Sequence, residues 1–433
     1  MSPFEVGLLG IGILFLLLAS NIPVGFAMGL IGFLGFGYLT TLNASLSIMG
    51  IVPYSTSASY DMSVLPLFLL MGQFAFHGNL TGSLYAAGQK WFGHFPGGLA
   101  MATIGASAGF AAISGSTVAS SATMAEVALP EMMKYRYAPS LAAGCVAAGG
   151  GLGILIPPSG ILIIYGILAE ESIGKLFAAG VIPGLILSAL HMLTIYILMK
   201  INPRLAPAVP KAIWKEKMAA LKGTWQVLLL FVVVMGGMWT GIFTVTEAAA
   251  IGAIGALFLA LANRGLTWRN LGPSLRQTAQ TTAMIFTIII GAMIFGYFLS
   301  VTKLPMELAN WIVSLGLSPY LVLIIIIFTY LLLGCVMDTL AMILLTIPIF
   351  LPVITTLGFN TIWFGIMVIM VAEMGLITPP VGMNVYVIAG IAKDIPIEVI
   401  FKGIFPFLVS VIVCTALLIV FPQIALFLPA LLK

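Results

Sequence analysis

Apolar runs with scarcely a charge follow one another along almost the whole chain, beginning with VGLLGIGILFLLLA at 6–19. A water-soluble domain must cover its apolar core with polar surface, and this chain has too little to do so. Only 7% of its 433 residues are charged and 61% are hydrophobic, against about 25% and about 45–50% in ordinary globular proteins. With a mean hydropathy of +1.19, the chain reads as an all-α polytopic membrane protein. The first apolar segment lacks a basic flank and is followed at once by another, so it reads as a retained helix, not a cleaved leader.

Several function classes drop out at this point. Cys145, Cys335 and Cys414 form no CxxC pair, and His77, His94 and His191 stand alone, so neither a zinc site nor a disulfide framework is indicated. No clustered His or Ser–His set suggests an embedded enzyme. There is no GxxxxGK[ST] loop, which argues against a self-contained ATP pump. The net charge of +4 calls for no nucleic-acid partner, because its distribution follows the membrane.

Helical spans fit at 4–19, 22–40, 62–77, 180–199, 223–240, 244–263, 279–300 and 403–428. Two more stretches, 138–170 and 361–392, are long enough to cross but are interrupted by Pro-Pro. The apolar stretches 97–132 and 318–353 have polar centres, SGST at 114–117 and GCVMDT at 334–339. Half-length helices joined by a polar turn predict re-entrant hairpins. With the N-terminus outside and neither hairpin crossing, fourteen of the seventeen Lys and Arg residues fall inside, and only Lys175, Lys303 and Lys433 fall outside. That asymmetry predicts a periplasmic Met1 and Lys433 and a cytoplasmic 200–222 segment. In KAIWKEKMAALK (211–222), Trp214, Met218 and Leu221 share one face and lysines occupy the others, as in an interfacial helix. The stripe Leu80, Leu84, Ala87 and Trp91 predicts a second one.

Shifting the chain by 222 residues superposes its least ordinary features without a gap. Thr117 falls on Thr339, Leu129-Pro130 on Leu351-Pro352, Gly153 on Gly375, Pro157-Pro158 on Pro379-Pro380 and Gly160 on Gly382. With one residue more, Gly29 and Gly32 fall on Gly252 and Gly255. The chain thus divides into a repeat at 1–210, a linker helix at 211–222 and a repeat at 223–433. Each half holds an odd number of crossings, which makes the repeats inverted. Such repeats build secondary transporters, whose sites lie between the halves near the membrane midplane.

Proline lacks an N–H and disfavours helix in the residue before it, so each Pro-Pro should unwind a turn within the membrane. The freed carbonyls need protein, water or an ion as partner, and a hard monovalent cation held by carbonyl, hydroxyl and carboxylate oxygens answers that need. The hairpin tips add Ser114, Ser116 and Thr117 in one half and Asp338 and Thr339 in the other. Asp338 stands at the repeat position of Ser116, and Glu373 at that of Gly151, so the second site is acidic where the first is neutral. An ionisable residue at membrane depth is a functional candidate by default. Glu126 and Glu247 also lie in apolar stretches, where a bond to neighbouring backbone or a helix cap after Thr246 competes with a functional role. No Lys or Arg lies at midplane depth, so an anionic substrate would depend on helix N-termini, hydroxyls, Asn384 or bound cations.

At these motifs the chain resembles the large membrane subunit of the tripartite ATP-independent periplasmic (TRAP) transporters. NIPVGFAMGL, VLPLFLLMG, SGSTVASSATMAEVALPEM, LAAGCVAAGGGLGILIPPSGILIIYGIL, GIFTVTEAAAIGAIGAL and MGLITPPVGMNVYVI carry the resemblance over nearly the whole length. It implies Na+-driven uptake of small carboxylates, such as sialic acids, C4-dicarboxylates or keto acids, delivered by a periplasmic substrate-binding protein. It also implies a small four-helix membrane subunit, expected as a separate chain, in a bacterial inner membrane. Hairpins and broken helices would move as an elevator against the outer spans. On this reading the first sodium site is Ser114, Gly115, Ser116, Gly151 and Gly153 with Pro157 nearby. The second is Gly334, Asp338, Thr339, Gly375 and Thr378, with Glu373 in a supporting shell, and the substrate lies near Ser159, Thr378 and Asn384. The alternative is a stand-alone cation-coupled carboxylate symporter of similar architecture.

Overall fold

The computed structural model describes residues 1–78, 80–207 and 210–432, and every regular element among them is helical. Lys433, counted above with the outside charges, lies outside the described residues. The first half opens with α1 (Pro3–Ala19), α2 (Val24–Leu39) and α3 (Leu42–Ser57). α1 begins in a capping box, in which Glu5 Oε2 accepts from the Ser2 N–H at 2.9 Å and Ser2 Oγ from the Glu5 N–H at 3.2 Å. α3 is absent from the spans read in the sequence. Serines, Asn43 and Pro53 interrupt its apolar residues, so no continuous run marks it. Then come α4 (Val64–His77), α5 (Leu80–Phe92), α6 (Gly98–Ser114), α7 (Thr117–Lys134), α8 (Pro139–Leu155), α9 (Gly160–Ala169) and α10 (Ile173–Ile201).

After the short helix α11 (Trp214–Leu221), α12 (Trp225–Phe231) continues through a π-helical stretch, Val232–Gly236, into α13 (Gly237–Trp239). The second half proceeds through α14 (Val245–Ala262), α15 (Trp268–Thr302), α16 (Leu304–Ser314), α17 (Pro319–Gly334), α18 (Thr339–Thr356), α19 (Thr361–Ile377), α20 (Met383–Ile391), α21 (Ile397–Val420) and α22 (Gln423–Leu431). Adding 222 to the bounds of α7 and α8 gives those of α18 and α19 to the residue. The sequence repeat is therefore a repeat of helices. The halves differ most where α15 is a single helix of 35 residues and the first half has α3 and α4. The expected single span 403–428 is divided instead at Phe421-Pro422, because proline withholds the N–H that would continue α21. Among the described residues, six helices are long and apolar enough to cross a membrane, or eight if two bent pairs each count as one.

The halves interlock. α2 packs along α15 and, at the corresponding place, α14 packs along α4. Glycines let α2 and α15 approach backbone to backbone: a Cβ on Gly25 would stand 2.6 Å from the Thr287 carbonyl oxygen, and one on Gly32 would stand 2.7 Å from the Phe295 nitrogen. The broken helices α8 and α19 lie deepest, with every residue from Leu141 to Leu155 and from Ile362 to Ile377 buried. Each touches the other and α21.

The short helices partly follow expectation. Trp214, Met218 and Leu221 of α11 are exposed together, as an interfacial helix requires. Lys217 does not join the other lysines in solvent. It is buried, with Nζ 5.5 Å from the Trp91 ring centroid, and its carbonyl accepts from Trp91 Nε1 at 3.2 Å. Lys90 and Glu216 add an ion pair at 3.3 Å between α5 and α11. Leu80 and Ala87 of α5 are buried in packing with α6. Glu247 does cap a helix, but its partner is Thr244, whose N–H donates to Glu247 Oε2 at 2.8 Å. Glu126 lies exposed on α7.

Candidate functional site

Pro157 and Pro158 withhold the two N–H groups that would close helical bonds to the carbonyls of Gly153 and Ile154. α8 therefore ends at Leu155, and α9 restarts after Ser159, whose hydroxyl accepts from the Leu162 N–H at 3.4 Å. The first hairpin tip rests on this break. α6 ends at Ser114, Gly115 takes a left-handed turn at φ 61°, and Ser116 caps α7 by accepting from the Ala119 N–H at 3.3 Å. A Cβ on Gly115 would stand 2.6 Å from the Pro158 carbonyl oxygen, and one on Gly153 would stand 2.8 Å from that of Ser116. Ser114 Oγ and Ser120 Oγ lie 3.0 Å apart beside them, both buried. The structure thus brings together Ser114, Gly115, Ser116, Gly153 and the Pro157-Pro158 break. It gathers backbone and hydroxyl oxygens there without a fixed charge, which suits a hard monovalent cation.

The second tip repeats the plan with a more open surface. A Cβ on Gly375 would fall within 2.5 Å of the Gly334 backbone, so hairpin and broken helix touch at those two glycines. Thr378 ends α19 and donates from Oγ1 to the Met374 carbonyl at 2.5 Å. Asp338 is tied to its own helix: Oδ2 accepts from the Leu340 N–H at 3.0 Å and caps α18. Ser116 and Asp338, at equivalent repeat positions, thus do the same local work, and Asp338 adds a negative charge beside a helix N-terminus. Thr339 is buried behind it. Ile156, Pro157 and Pro158 are buried, whereas Pro379, Pro380 and Val381 are exposed.

Two assignments change. Gly151 and Gly153 stand two residues apart in an unbroken helix, about 200° around its axis. Gly153 meets the hairpin, and Gly151 meets Glu373 instead: a Cβ there would be 2.4 Å from Glu373 Oε1. By the same geometry Gly375 faces Gly334 while Glu373 faces α8. Glu373 accordingly stands apart from the second tip, and Gly151 presents its Cα away from the first. Of the expected substrate residues, Ser159 and Asn384 are fully buried, Asn384 donating to the Ala147 carbonyl at 3.3 Å, and Thr378 is half-buried.

A cavity of about 500 Å³ opens elsewhere, between α3 and α15 on one side and the end of α9 and α18 on the other. Its polar lining includes Ser55, Thr56, Ser59, Glu170, Tyr297 and Ser300. Sequence reasoning missed it along with α3. The available signal was the hydroxyl-rich STSAS at 55–59.

Comparison with known proteins agrees with this architecture. Residues 11–424 match the family described as the tripartite ATP-independent periplasmic transporter, DctM component. The C4-dicarboxylate TRAP transporter large permease protein DctM of Pseudomonas aeruginosa is 36% identical, over 89% of this chain and 90% of that protein. The sialic acid TRAP transporter large permease protein SiaM of Vibrio cholerae is 33% identical, over 96% of each. The crystal structure of the Alcanivorax borkumensis YdaH transporter shares the fold at 15% identity, with a TM-score of 0.64 over 88% of this chain and 89% of that one. The helix repeat, the paired hairpins and these matches lead to one assignment: the chain belongs to the TRAP transporters, as their large membrane subunit.

Proposed function

We propose that this subunit carries small organic acids of the sialic acid or C4-dicarboxylate class into the bacterial cell, driven by sodium. One observation carries the reading: each hairpin tip meets a broken helix through glycines, at places where proline frees carbonyl oxygens inside the protein. The first sodium ion would be held at Ser114, Gly115, Ser116, Gly153 and Pro157. The second would be held at Gly334, Asp338, Thr339, Gly375 and Thr378. The two relatives named for C4-dicarboxylates and sialic acid support the substrate class.

In the proposed cycle a periplasmic binding protein delivers the acid, a separate small subunit braces α1–α4 and α12–α15, and the hairpins with α8 and α19 move as an elevator. The hydroxyl-lined cavity spans that boundary and offers an approach for a polar solute. Ser159 and Asn384 would become accessible to it only as the broken helices shift. The test is uptake into proteoliposomes holding this chain and its small subunit, with the binding protein supplied outside. Uptake is expected only with an inward sodium gradient and with all three components. Robust sodium-free uptake, unchanged in Asp338→Asn, would overturn the ion sites. Full flux from this chain alone would favour the stand-alone symporter.

A further inference from the structure

α11 stands at the joint between the two repeats, and its side chains are sorted by charge around it. At about 100° per residue, Trp214, Met218 and Leu221 fall within about 60° of one another, and all three are exposed. Lys217 edges that stripe on one flank, and Lys215 and Lys222 edge it on the other. Glu216 stands on the far side, about 160° from Trp214, where Lys90 of α5 pairs with it at 3.3 Å. Lys211 adds a fourth lysine just before the helix. The apolar side of α11 therefore carries positive charge alone, and among the described residues none of these four lysines has a carboxylate within ion-pair distance.

This ledge is fixed where it meets the rest of the subunit. Trp91 Nε1 donates to the Lys217 carbonyl at 3.2 Å, and the Trp91 ring packs edge to face with Trp214, their centroids 5.8 Å apart. Lys217 buries its stem at the same place, with Nζ 5.5 Å from the Trp91 ring. The Trp91 indole N–H is thereby committed, so recognition of an anion at the ledge falls to the ammonium groups. Lys211 and Lys217 both act electrostatically on His94, two residues beyond α5, so positive potential gathers at that end.

The pattern selects its occupant. An apolar stripe edged by lysines on both flanks seats its apolar residues against acyl chains and carries its ammonium groups up to the phosphates. A soluble anion would satisfy the lysines and leave Trp214, Met218 and Leu221 in water. A zwitterionic lipid would cover those three and offer the lysines no net charge. The basic residues also predict that this face lies on the cytoplasmic side, where membranes carry anionic headgroups.

We propose that α11, with the end of α5, is a binding site for anionic phospholipid of the cytoplasmic leaflet. Lys211, Lys215, Lys217 and Lys222 hold the headgroups, and the acyl chains lie along Trp214, Met218 and Leu221. Bound lipid presses the linker between the repeats onto α5, which packs in turn along the hairpin helix α6. The lipid thus braces the linker against the first hairpin.

The test uses this chain with its small subunit in phosphatidylcholine nanodiscs that carry a trace of photoactivatable phosphatidylglycerol. Cross-links should map to the segment 211–228, persist against the surrounding phosphatidylcholine, and be displaced by unlabelled phosphatidylglycerol. A lysine near an anionic surface contributes about fivefold to binding. Lys211, Lys215 and Lys222 are exposed, so the combined variant Lys211→Gln, Lys215→Gln, Lys222→Gln should fold and lose labelling about tenfold or more. Should that variant not assemble, Lys215→Gln alone should lower labelling about fivefold. The combination Arg264→Gln, Arg269→Gln, Arg276→Gln removes equal charge from the same predicted side and should leave labelling of 211–228 nearly unchanged. Equal losses in the lysine and arginine variants would overturn the inference, since general surface charge would then suffice. So would labelling that unlabelled phosphatidylglycerol does not displace. Cross-links to the small subunit in place of 211–228 would also overturn it, by making that subunit the occupant of this face.

Discussion

Gly115 does two things that no other residue can do at its position. It holds φ at 61°, and it lets the hairpin tip rest against the Pro158 carbonyl. Gly316 has the same φ of 61° with open space around it, which separates the two effects. Left-handed backbone disfavours alanine by about 1–2 kcal/mol at either site, so Gly316→Ala should transport nearly normally. Gly115→Ala should lose most uptake, because its Cβ would also strike backbone that cannot yield. Equal initial rates for the two variants would show that the tip contact is dispensable. Asp338 and Ser116 make a second pair for comparison. Asp338→Asn retains a capping oxygen and removes the charge, so the sodium concentration for half-maximal flux should rise at little expense to stability. Ser116→Ala removes the α7 cap, a loss of about 1 kcal/mol, read as a lower unfolding temperature.

At the scale of helices, the α2–α15 crossing is set by what is missing. A Cβ on Gly291 would come within 2.0 Å of the Gly25 carbonyl, and Gly32 has backbone of α15 as its nearest neighbour. Side chains can change rotamer to admit a methyl group, but two helix backbones must move apart. Gly32→Val should therefore destabilise the subunit by about 1–3 kcal/mol, as overpacking does. Gly12, which has open space, should accept the same change. Thermal unfolding of the two variants in one detergent checks the difference. The repeat spacing announced such small-residue positions as Gly29/Gly252 and Gly32/Gly255. It did not announce α3 or α16, whose hydropathy is too mixed to stand out.

Across the whole molecule, α7 and α8 share their bounds with α18 and α19, but the repeats do not share exposure. Ser159 is fully buried while Val381, at the equivalent position, is 40% exposed. In the detergent-solubilised complex a small thiol reagent should modify Val381→Cys rapidly and Ser159→Cys slowly. Matching rates would mean that the two breaks are equally open in solution. Orientation has its own test. The basic residues predict that a cysteine at position 215 in intact cells is protected from a membrane-impermeant reagent, and labelling from outside would reverse the topology.

Most of the helices, the repeat and its two breaks were legible in the residues themselves, because proline's missing N–H and a 222-residue spacing act locally and need no partner to be recognised. Which way each glycine faces was not. Every residue from Ile362 to Ile377 is buried, and the helix is apolar around most of its circumference, so hydropathy carries no periodic contrast from which to read a face. Gly151 and Gly153 looked alike in sequence and turned to opposite neighbours, and Glu373 looked like a member of the second tip. Only the crossing of α8 and α19 determined that this carboxylate meets its own repeat partner, since contact across a pseudo-two-fold crossing depends on how two distant helices rotate against each other.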